Sequence, residues 1–525
     1  MVVEYGKTLT YQFGGADMER HALFEIGTTN IRLTIANVEQ GEHFYIYKTL
    51  NEYIHINEHI EADGLIKTSK IHECIVLLKM YKKICEADGV KNYTAIAANN
   101  LRDAKNFKSF IDAAGTAVGL EFQIMTPEEE VAAKYTSVIN TLDVPKGVIL
   151  DVSSYATRII HYNRRVILDS ATIPFGSVSL FTRAENMPLI AVDIFKKQLQ
   201  ELAPFLQNLD PETTIVGVSD TFASFGRIAR KMKKYPIDID HNYTADSETF
   251  YQVFDFIKSI DMDKKQKLKG ISSHAATTIL CGMCIVDAVL QFCGLKHLVV
   301  GCSYRNTGLM FNIAVPYTLE RPVTDVLGYS LETIAANADL DKRYCENHYS
   351  LALMLFKQLK VLHKLPRGYA KVLRIASYLY HLGKTINAEH FERSNYHAIL
   401  AAPLMGASHK DIVLAGFCAS IKKWEEFNFA EWVKYKDIVT DDDLEAVRKI
   451  TIIIAMAEAL NLRNCNTVKD ITCDILGDSV VLKLVCETDQ RAPKVDVKAA
   501  EIEIFYAKKY SAEFQKTFKK QLEIL

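Results

Sequence analysis

The stretch GVILDVSSYATRIIHY (Gly147–Tyr162) restricts the fold of this chain more than any other. It opens as a buried strand, reaches an acid at Asp151, turns through small residues and resumes as a second strand. That is the outline of a phosphate-gripping hairpin, with Ser153, Ser154 and Tyr155 where such turns carry glycines. The segments around it form a cycle that occurs twice. Upstream, Phe24–Val38 and His43–Ile54 read as paired strands with a turn near Glu39–Glu42. A helix over Ile71–Gly89, a strand over Tyr93–Asn100 and a helix over Leu101–Gly115 follow. FQIM is then a strand, and Thr126-Pro127 opens a helix through Asn140. Downstream of the hairpin come a strand before Pro174, a helix, TTIVGVSD as a strand and another helix. The repetition implies two similar α/β lobes.

Past Val323 the texture becomes nearly continuous helix to about Asn461. From Asp478 the pattern returns to strand in VVLKLV and EIEIFY, then closes with a basic amphipathic helix. The expected organisation is an extension over 1–21, lobes over 22–140 and 141–322, a helical domain over 323–470 and a small α+β domain over 471–525. No low-complexity linker separates them, so they are expected to pack together. A net charge of −2 argues against a dedicated DNA or membrane-surface binder. Glu4, Asp17 and Glu19 in the opening residues do not suit a signal peptide, and eleven cysteines lack framework spacing, so a cytoplasmic protein is expected. The apolar run Ala276–Leu295 is interrupted by Asp287 and Gln291 and reads as a core helix.

Seven blocks in order carry a family resemblance. FEIGTTNIRL corresponds to a phosphate loop of the form D-I-G-S-N-S-x-R-L, AANNLRDAKN to A-T-S-A-L-R-D-A-x-N, and TPEEEVAAKY to S-G-E-E-E-A. LDVSSYAT corresponds to I-D-I-G-G-G-S-T-E, and IPFGSVSL, GVSDT and GCSYRNTGLMF follow in register. Over about residues 22–425 the chain resembles the Ppx/GppA family, the exopolyphosphatases and pppGpp phosphohydrolases of the actin-like ATPase superfamily. The resemblance implies two duplicated, ribonuclease H-like α/β lobes with a mixed five-stranded sheet each. A cleft would lie between Glu25–Asn30 and Asp151–Thr157, followed by an all-helical HD-like domain and a small α+β domain. It also implies hydrolysis of a terminal phosphoanhydride bond of polyphosphate or pppGpp, and a homodimer.

Residue by residue, Glu130 matches the family's catalytic carboxylate and Asp151 the metal- or water-binding acid of the second loop. Arg102 and Asn106 match phosphate contacts, Arg32 is retained, and Thr28, Asn30, Ser153, Ser154, Thr157 and Thr221 fall at phosphate-loop positions. Glu25, with Asp151, would hold Mg²⁺ or Mn²⁺ if the chain is active. The departures are Glu25 for the family Asp, Ser153-Ser154-Tyr155 for three glycines, Arg158 for a closing acid, Asp220 for a glycine and Asn306-Thr307-Gly308 for R-E-G. Losing glycine removes positive-φ freedom and close backbone approach to phosphate. Tyr155 would either close the pocket or stack on a ligand.

In the helical region His348 matches a first metal-ligating His, Tyr380-His381 stands where His-Asp would, and Arg393 replaces the second His after His390. A cation at a ligand position argues for a scaffold rather than a metal domain. Cys281-Gly-Met-Cys284 has C-x-x-C spacing inside an apolar helix, which reads as core. The Lys-rich segment near the C-terminus reads as a solvated helix face. Two functions remain: a weak metal-dependent phosphohydrolase with Glu130 as base, or a regulatory protein that binds polyphosphate or a guanosine nucleotide without turning it over.

Overall fold

The protein is described by a computed structural model over residues 18–39, 43–101, 104–183, 187–272, 275–302, 304–315, 323–486 and 500–525. Arg102, Tyr11–Gly15 and most of the Glu39–Glu42 turn lie outside the described residues. The chain divides into a compact unit over 18–326 and a second that includes 327–525.

The first sheet runs β3-β2-β1-β4-β5. It is built from β1 (Glu19–Ile26), β2 (Asn30–Glu39), β3 (His43–Tyr53), β4 (Asn92–Ala97) and β5 (Phe122–Ile124). β1 begins at Glu19, so this lobe takes in residues expected in the extension. β1 and β2 form an antiparallel hairpin that sets Glu25 opposite Arg32, while β1, β4 and β5 run parallel. Central parallel strands are covered on both faces, and Leu23, Phe24 and Ile26 are fully buried accordingly. Cys74, Leu78 and Cys85 of α1 (Thr68–Ala87) and Phe110 and Ile111 of α2 (Phe107–Val118) fill that core. α2 starts six residues later than its sequence suggests, because Asn106 at its N-cap bridges the backbone N–H and C=O of Ile66, at 2.9 Å each.

α3 (Pro127–Ile139) is fixed by a Thr126/Glu129 capping box with Pro127 in its first turn. It leads to the second sheet, of order β10-β11-β9-β6-β7-β8. The strands are β6 (Lys146–Val152), β7 (Thr157–Asn163), β8 (Val166–Ile173), β9 (Thr214–Gly217), β10 (Tyr243–Asp246) and β11 (His297–Val300). The antiparallel β6-β7-β8 meander followed by parallel β9 and β11 repeats the order and directions of the first sheet. The expectation of five strands therefore fails here by one. β10 adds antiparallel to β11, and its four residues, YTAD, are too few to carry a strand pattern before Asp246 caps the next helix. The helices are α4 (Ser177–Arg183), α5 (Pro188–Leu202), α6 (Asp220–Met232), α7 (Ser247–Ser259), α8 (Met262–Lys267), α9 (Ile279–Cys293) and α10 (Arg305–Ala314). Cys281 and Cys284 are buried in α9, and burial pushes both thiols up to about 12, so the C-x-x-C spacing is core packing.

α10 crosses back to the first sheet. Phe311 meets Phe44 edge-on at 4.9 Å, and Asn306 Nδ2 donates to Thr34 Oγ1 at 3.1 Å. Its Gly308 lies against α3, where an added Cβ would stand 1.9 Å from the Ala133 carbonyl oxygen. Gly308→Ala is therefore expected to cost about 1–3 kcal/mol through overpacking, seen as a lowered thermal midpoint. An unchanged midpoint would mean that α3 and α10 slide apart freely.

The second unit is helical from α11 (Val326–Asn337) through α12 (Lys342–Gln358), α13 (Lys360–His363), α14 (Tyr369–Tyr378), α15 (Phe391–Ala401), α16 (His409–Ala419), α17 (Phe429–Trp432) and α18 (Asp441–Leu460). A three-stranded sheet follows, of order β12-β13-β14: β12 (Val468–Leu476), β13 (Ser479–Cys486) and β14 (Gln521–Ile524). EIEIFY is not a strand. It forms α19 (Glu501–Lys508), burying Glu503, Ile504 and Ala507 at helical spacing, with Glu503 taking a bidentate pair from Arg463 at 2.6 and 2.7 Å. Tertiary pairing overrides the local alternation. After α20 (Ser511–Phe518) the chain closes on β14 rather than on the helix. Among the described residues no helix is long and apolar enough to cross a membrane.

Candidate functional site

The central strands β1 and β6 end in Glu25–Ile26 and Asp151–Val152, and Glu130 sits in the first turn of α3. All three carboxylates are buried; Glu130 is 3% and Asp151 1% exposed. A carboxylate suits a helix N-terminus, and Glu130 Oε1 also accepts the Asn99 N–H at 3.2 Å. Glu130 and Asp151 line a cleft of about 210 Å³ with Thr29, Arg32, Tyr53 and His55 on one wall. Ser153, Ser154, Asp220 and Thr221 line it as well.

Cations meet every one of the three acids. Arg158 on β7 donates Nη2 to Glu130 Oε2 and places Nη1 3.5 Å from Asp151 Oδ2. Arg305, the first residue of α10, lies 3.0 Å from Glu25 Oε1 through Nε and 3.5 Å from Glu130 Oε1 through Nη1. Lys134, one turn beyond Glu130 on α3, is 3.4 Å from Asp151 Oδ1. The result is an unbroken row, Glu25–Arg305–Glu130–Arg158–Asp151–Lys134, with charges that cancel. Burial and the neighbouring Arg305 draw the Arg158 pKa down to about 10, which leaves it a cation at neutral pH.

This set does not fit a divalent ion. Mg²⁺ needs carboxylate oxygens free to approach at about 2.0–2.1 Å in an octahedral shell. Here Asp151 accepts from Ser153 Oγ at both oxygens, at 3.2 and 3.1 Å, besides facing Arg158 and Lys134. Glu25 retains one unpartnered oxygen, Oε2. Among the described residues no group of three or more His, Cys, Asp or Glu is placed to hold a metal.

The loops explain how the altered residues are accommodated. In the first, Gly27 N–H bonds the Asn30 carbonyl, the Thr29 carbonyl accepts from Ile54 and His55, and the Thr28 carbonyl from Asn57. The Asn30 amide donates to Asn51. Thr28 and Asn30 therefore brace the loop, while Thr29 faces the cleft with Oγ1 buried and unpartnered. In the second, Ser153, Ser154 and Tyr155 all keep negative φ, so the turn no longer needs glycine. Gly176 supplies the close approach instead, since a Cβ there would lie 2.1 Å from the Ser153 carbonyl oxygen. The N–H groups of Ser177, Val178 and Ser179 bond the Ser153 and Ser154 carbonyls, which takes up the donors opening α4.

Thr157 Oγ1 is fully buried and donates to the Phe175 carbonyl at 2.8 Å, and Asn106 is held on Ile66, so neither lines the cleft. Thr221 does, packed over Gly282. Asp220 is exposed on the rim at the start of α6. Tyr155 lines an adjoining pocket of about 830 Å³ with Asn57, Phe181 and Arg183, and that pocket shares His55, Val178 and Thr278 with the first. Sequence reasoning missed Lys134 and Arg305. Lys134 is visible as the i+4 neighbour of Glu130, whereas Arg305 has no local signal.

In the helical unit His348 is buried with Nε2 3.1 Å from the Ile454 carbonyl oxygen, and burial lowers its pKa. His381 stacks on Tyr344 at 3.8 Å and faces Glu458 Oε1 at 3.3 Å, whereas His390, at the N-cap of α15, and Arg393, in its first turn, are exposed. Burial would raise Glu458, but His381, His348 and Tyr344 together hold it at about 2.

The sequence pattern of the Ppx/GppA phosphatase family matches residues 34–300, starting just past Arg32. Retrograde regulation protein 2 of Saccharomyces cerevisiae is 25% identical over 176 residues, 31% of this chain and 30% of that protein. The chain thus matches less than a third of the yeast protein's length. An Aquifex aeolicus member of the Ppx/GppA family superposes with a TM-score of 0.51 at 23% identity, covering 58% of this chain and all of that one. An exopolyphosphatase from Cytophaga hutchinsonii gives 0.52 at 15% identity, over 56% and 98%. Both solved structures share the α/β fold of the first unit. With its family pattern spanning both sheets of that fold, the chain belongs to the Ppx/GppA phosphatase family.

Proposed function

We propose that this chain is a regulatory member of its family, which binds a phosphorylated ligand in the cleft and turns it over slowly or not at all. The observation that carries the reading is Arg158, whose guanidinium lies between Glu130 and Asp151. A water-activating base needs an oxygen free to take a proton. Both oxygens of Glu130 face guanidinium groups, and the cations beside Asp151 oppose the Mg²⁺ or Mn²⁺ that an active relative would need. A row of buried pairs of this kind is a fixed, charge-neutral floor beneath the ligand.

Ligand binding falls to the cleft walls. Arg32 lines the cleft with its guanidinium 5.3 Å from the Tyr304 ring centroid. Among the described residues its side chain has no carboxylate partner within ion-pair distance, so it can pair with a phosphate. The hydroxyls of Thr29, Ser153, Ser154 and Thr221 can add hydrogen bonds. The adjoining pocket has Tyr155, Phe181 and the buried, unpartnered Asn57 Oδ1, which favours a guanosine polyphosphate such as pppGpp over bare polyphosphate. The regulator's name of the yeast relative is consistent with this reading. All eleven cysteines are free thiols, as in a cytoplasmic protein. The helical unit serves as a scaffold, with an HD-like ligand set replaced by the Glu458 cluster.

The test is to titrate the protein with tripolyphosphate and with a guanosine tetraphosphate while following melting temperature and released phosphate. The guanosine nucleotide is expected to stabilise by about 2.7 kcal/mol at a hundredfold excess over Kd. Arg32→Ala is expected to raise Kd about tenfold or more. Stabilisation that Arg32→Ala leaves unchanged would remove the cleft from the account.

A further inference from the structure

Lys384 lies in the turn Leu382–Thr385 of the helical unit and heads a row of polar groups. Its Nζ is 3.2 Å from His381 Nδ1, and His381 Nε2 is 3.3 Å from Glu458 Oε1 on α18. An ammonium can only donate, so Nδ1 is the bare nitrogen of His381 and the Nε2 hydrogen faces Glu458. Tyr344 on α12 fixes the far end. Its hydroxyl donates to Glu458 Oε2, and its ring stacks on the imidazole at 3.8 Å. A nucleophile touching a base that a third group orients is the arrangement that activates a side chain for attack. The rings of Phe391 and Tyr344, centred 4.9 and 6.0 Å from Nζ, take the place of water beside the ammonium. Lys422, itself paired to Glu392, approaches the Phe391 ring at 5.2 Å. Burial lowers the Lys384 pKa and Lys422 acts in the same direction, against Glu458 and Glu392. The residue as a whole is exposed, so a reagent can reach it.

We infer that Lys384 is a site of direct acylation, taking an acyl group from a thioester or an acyl phosphate with His381 as its base. The ammonium gives one proton to solvent, and the amine attacks the carbonyl carbon of the donor. As the N–C bond forms, a second proton passes to His381 Nδ1, and Glu458 faces the imidazolium that results. The C–S or C–O bond breaks, its electron pair leaves with the thiolate or phosphate, and His381 gives the proton up to that group. The product is a neutral amide. The reaction marks the chain once and removes one positive charge.

Incubating the full chain with acetyl-CoA or with acetyl phosphate, and mapping acetyl-lysine by mass spectrometry over time, tests this. Lys384 is expected to react about tenfold faster than the exposed Lys234 and Lys519 of the same molecule. Reaction with one donor alone carries the inference and names the carrier. His381→Gln should bring Lys384 to within about twofold of those two lysines. Their own rates, with the melting temperature, report whether that variant is folded. The wild-type pH profile gives a reading that needs no variant: the Lys384 rate should level off at a lower pH than the rates of Lys234 and Lys519. Equal rates at the three lysines overturn the inference. So does a folded His381→Gln protein acylated at the wild-type rate, or a set of pH profiles that coincide.

Discussion

Arg158→Glu is expected to destabilise the first unit by about 3–5 kcal/mol, and Mn²⁺ is expected to restore most of that loss while leaving wild type unchanged. Removing one partner of a buried ion pair is costly because the remaining charges stay out of water without compensation. Here two carboxylates lose their shared guanidinium, and the substitution adds a third acid 90% or more removed from solvent. Lys134 and Arg305 still neutralise one oxygen each of Asp151 and Glu130, which sets the upper bound. A divalent cation can then occupy the vacated position, since its oxygen ligands become available. Arg158→Met serves as the control. It loses the cation without adding charge, so it should be destabilised with less recovery on Mn²⁺. The denaturant midpoint with and without metal reads all three proteins. Wild type stabilised by Mn²⁺, in a manner lost in Asp151→Asn, would show that the guanidinium does not displace the ion.

The lobes were legible because their signals are local. The hairpin at Gly147–Tyr162 fell within a residue or two of β6 and β7, and Thr126-Pro127 marked the start of α3. β10 and α19 were not, because a four-residue strand has no measurable period and E-I-E-I alternates whether or not a sheet receives it. At the site, the order of blocks brought Glu130, Asp151, Arg32, Ser153, Ser154 and Thr221 to one cleft. The same reasoning marked Arg158 only as a missing acid. That its guanidinium would bridge two carboxylates depends on β7 lying beside α3, a contact 28 residues apart in sequence. Arg305 reaches Glu25 across 280 residues, and no window of sequence contains that pair. Asn106 and Thr157 occupy motif positions but are committed to backbone carbonyls, which only a hydrogen-bond inventory can reveal.

Glu130→Gln separates the two functional readings most sharply, because they predict opposite phenotypes. As a general base, Glu130 would account for about 10²–10⁴-fold in rate, and its amide would fold normally. As an ion-pair partner, it would contribute to stability instead. The amide's single oxygen can accept from Arg158 or from Asn99 but not from both, its NH2 then faces the other donor, and two guanidinium groups lose their common anion. Hydrogen bonds to charged groups contribute about 1.5–3 kcal/mol each. A lowered melting temperature is therefore expected, with phosphate release from polyphosphate or pppGpp within about twofold of wild type and both near background. Ligand-induced stabilisation should persist, since Arg32 and the loop hydroxyls are untouched. If release is measurable in wild type and collapses in Glu130→Gln at unchanged stability, then Arg158 must move aside during turnover, and the chain is an enzyme after all.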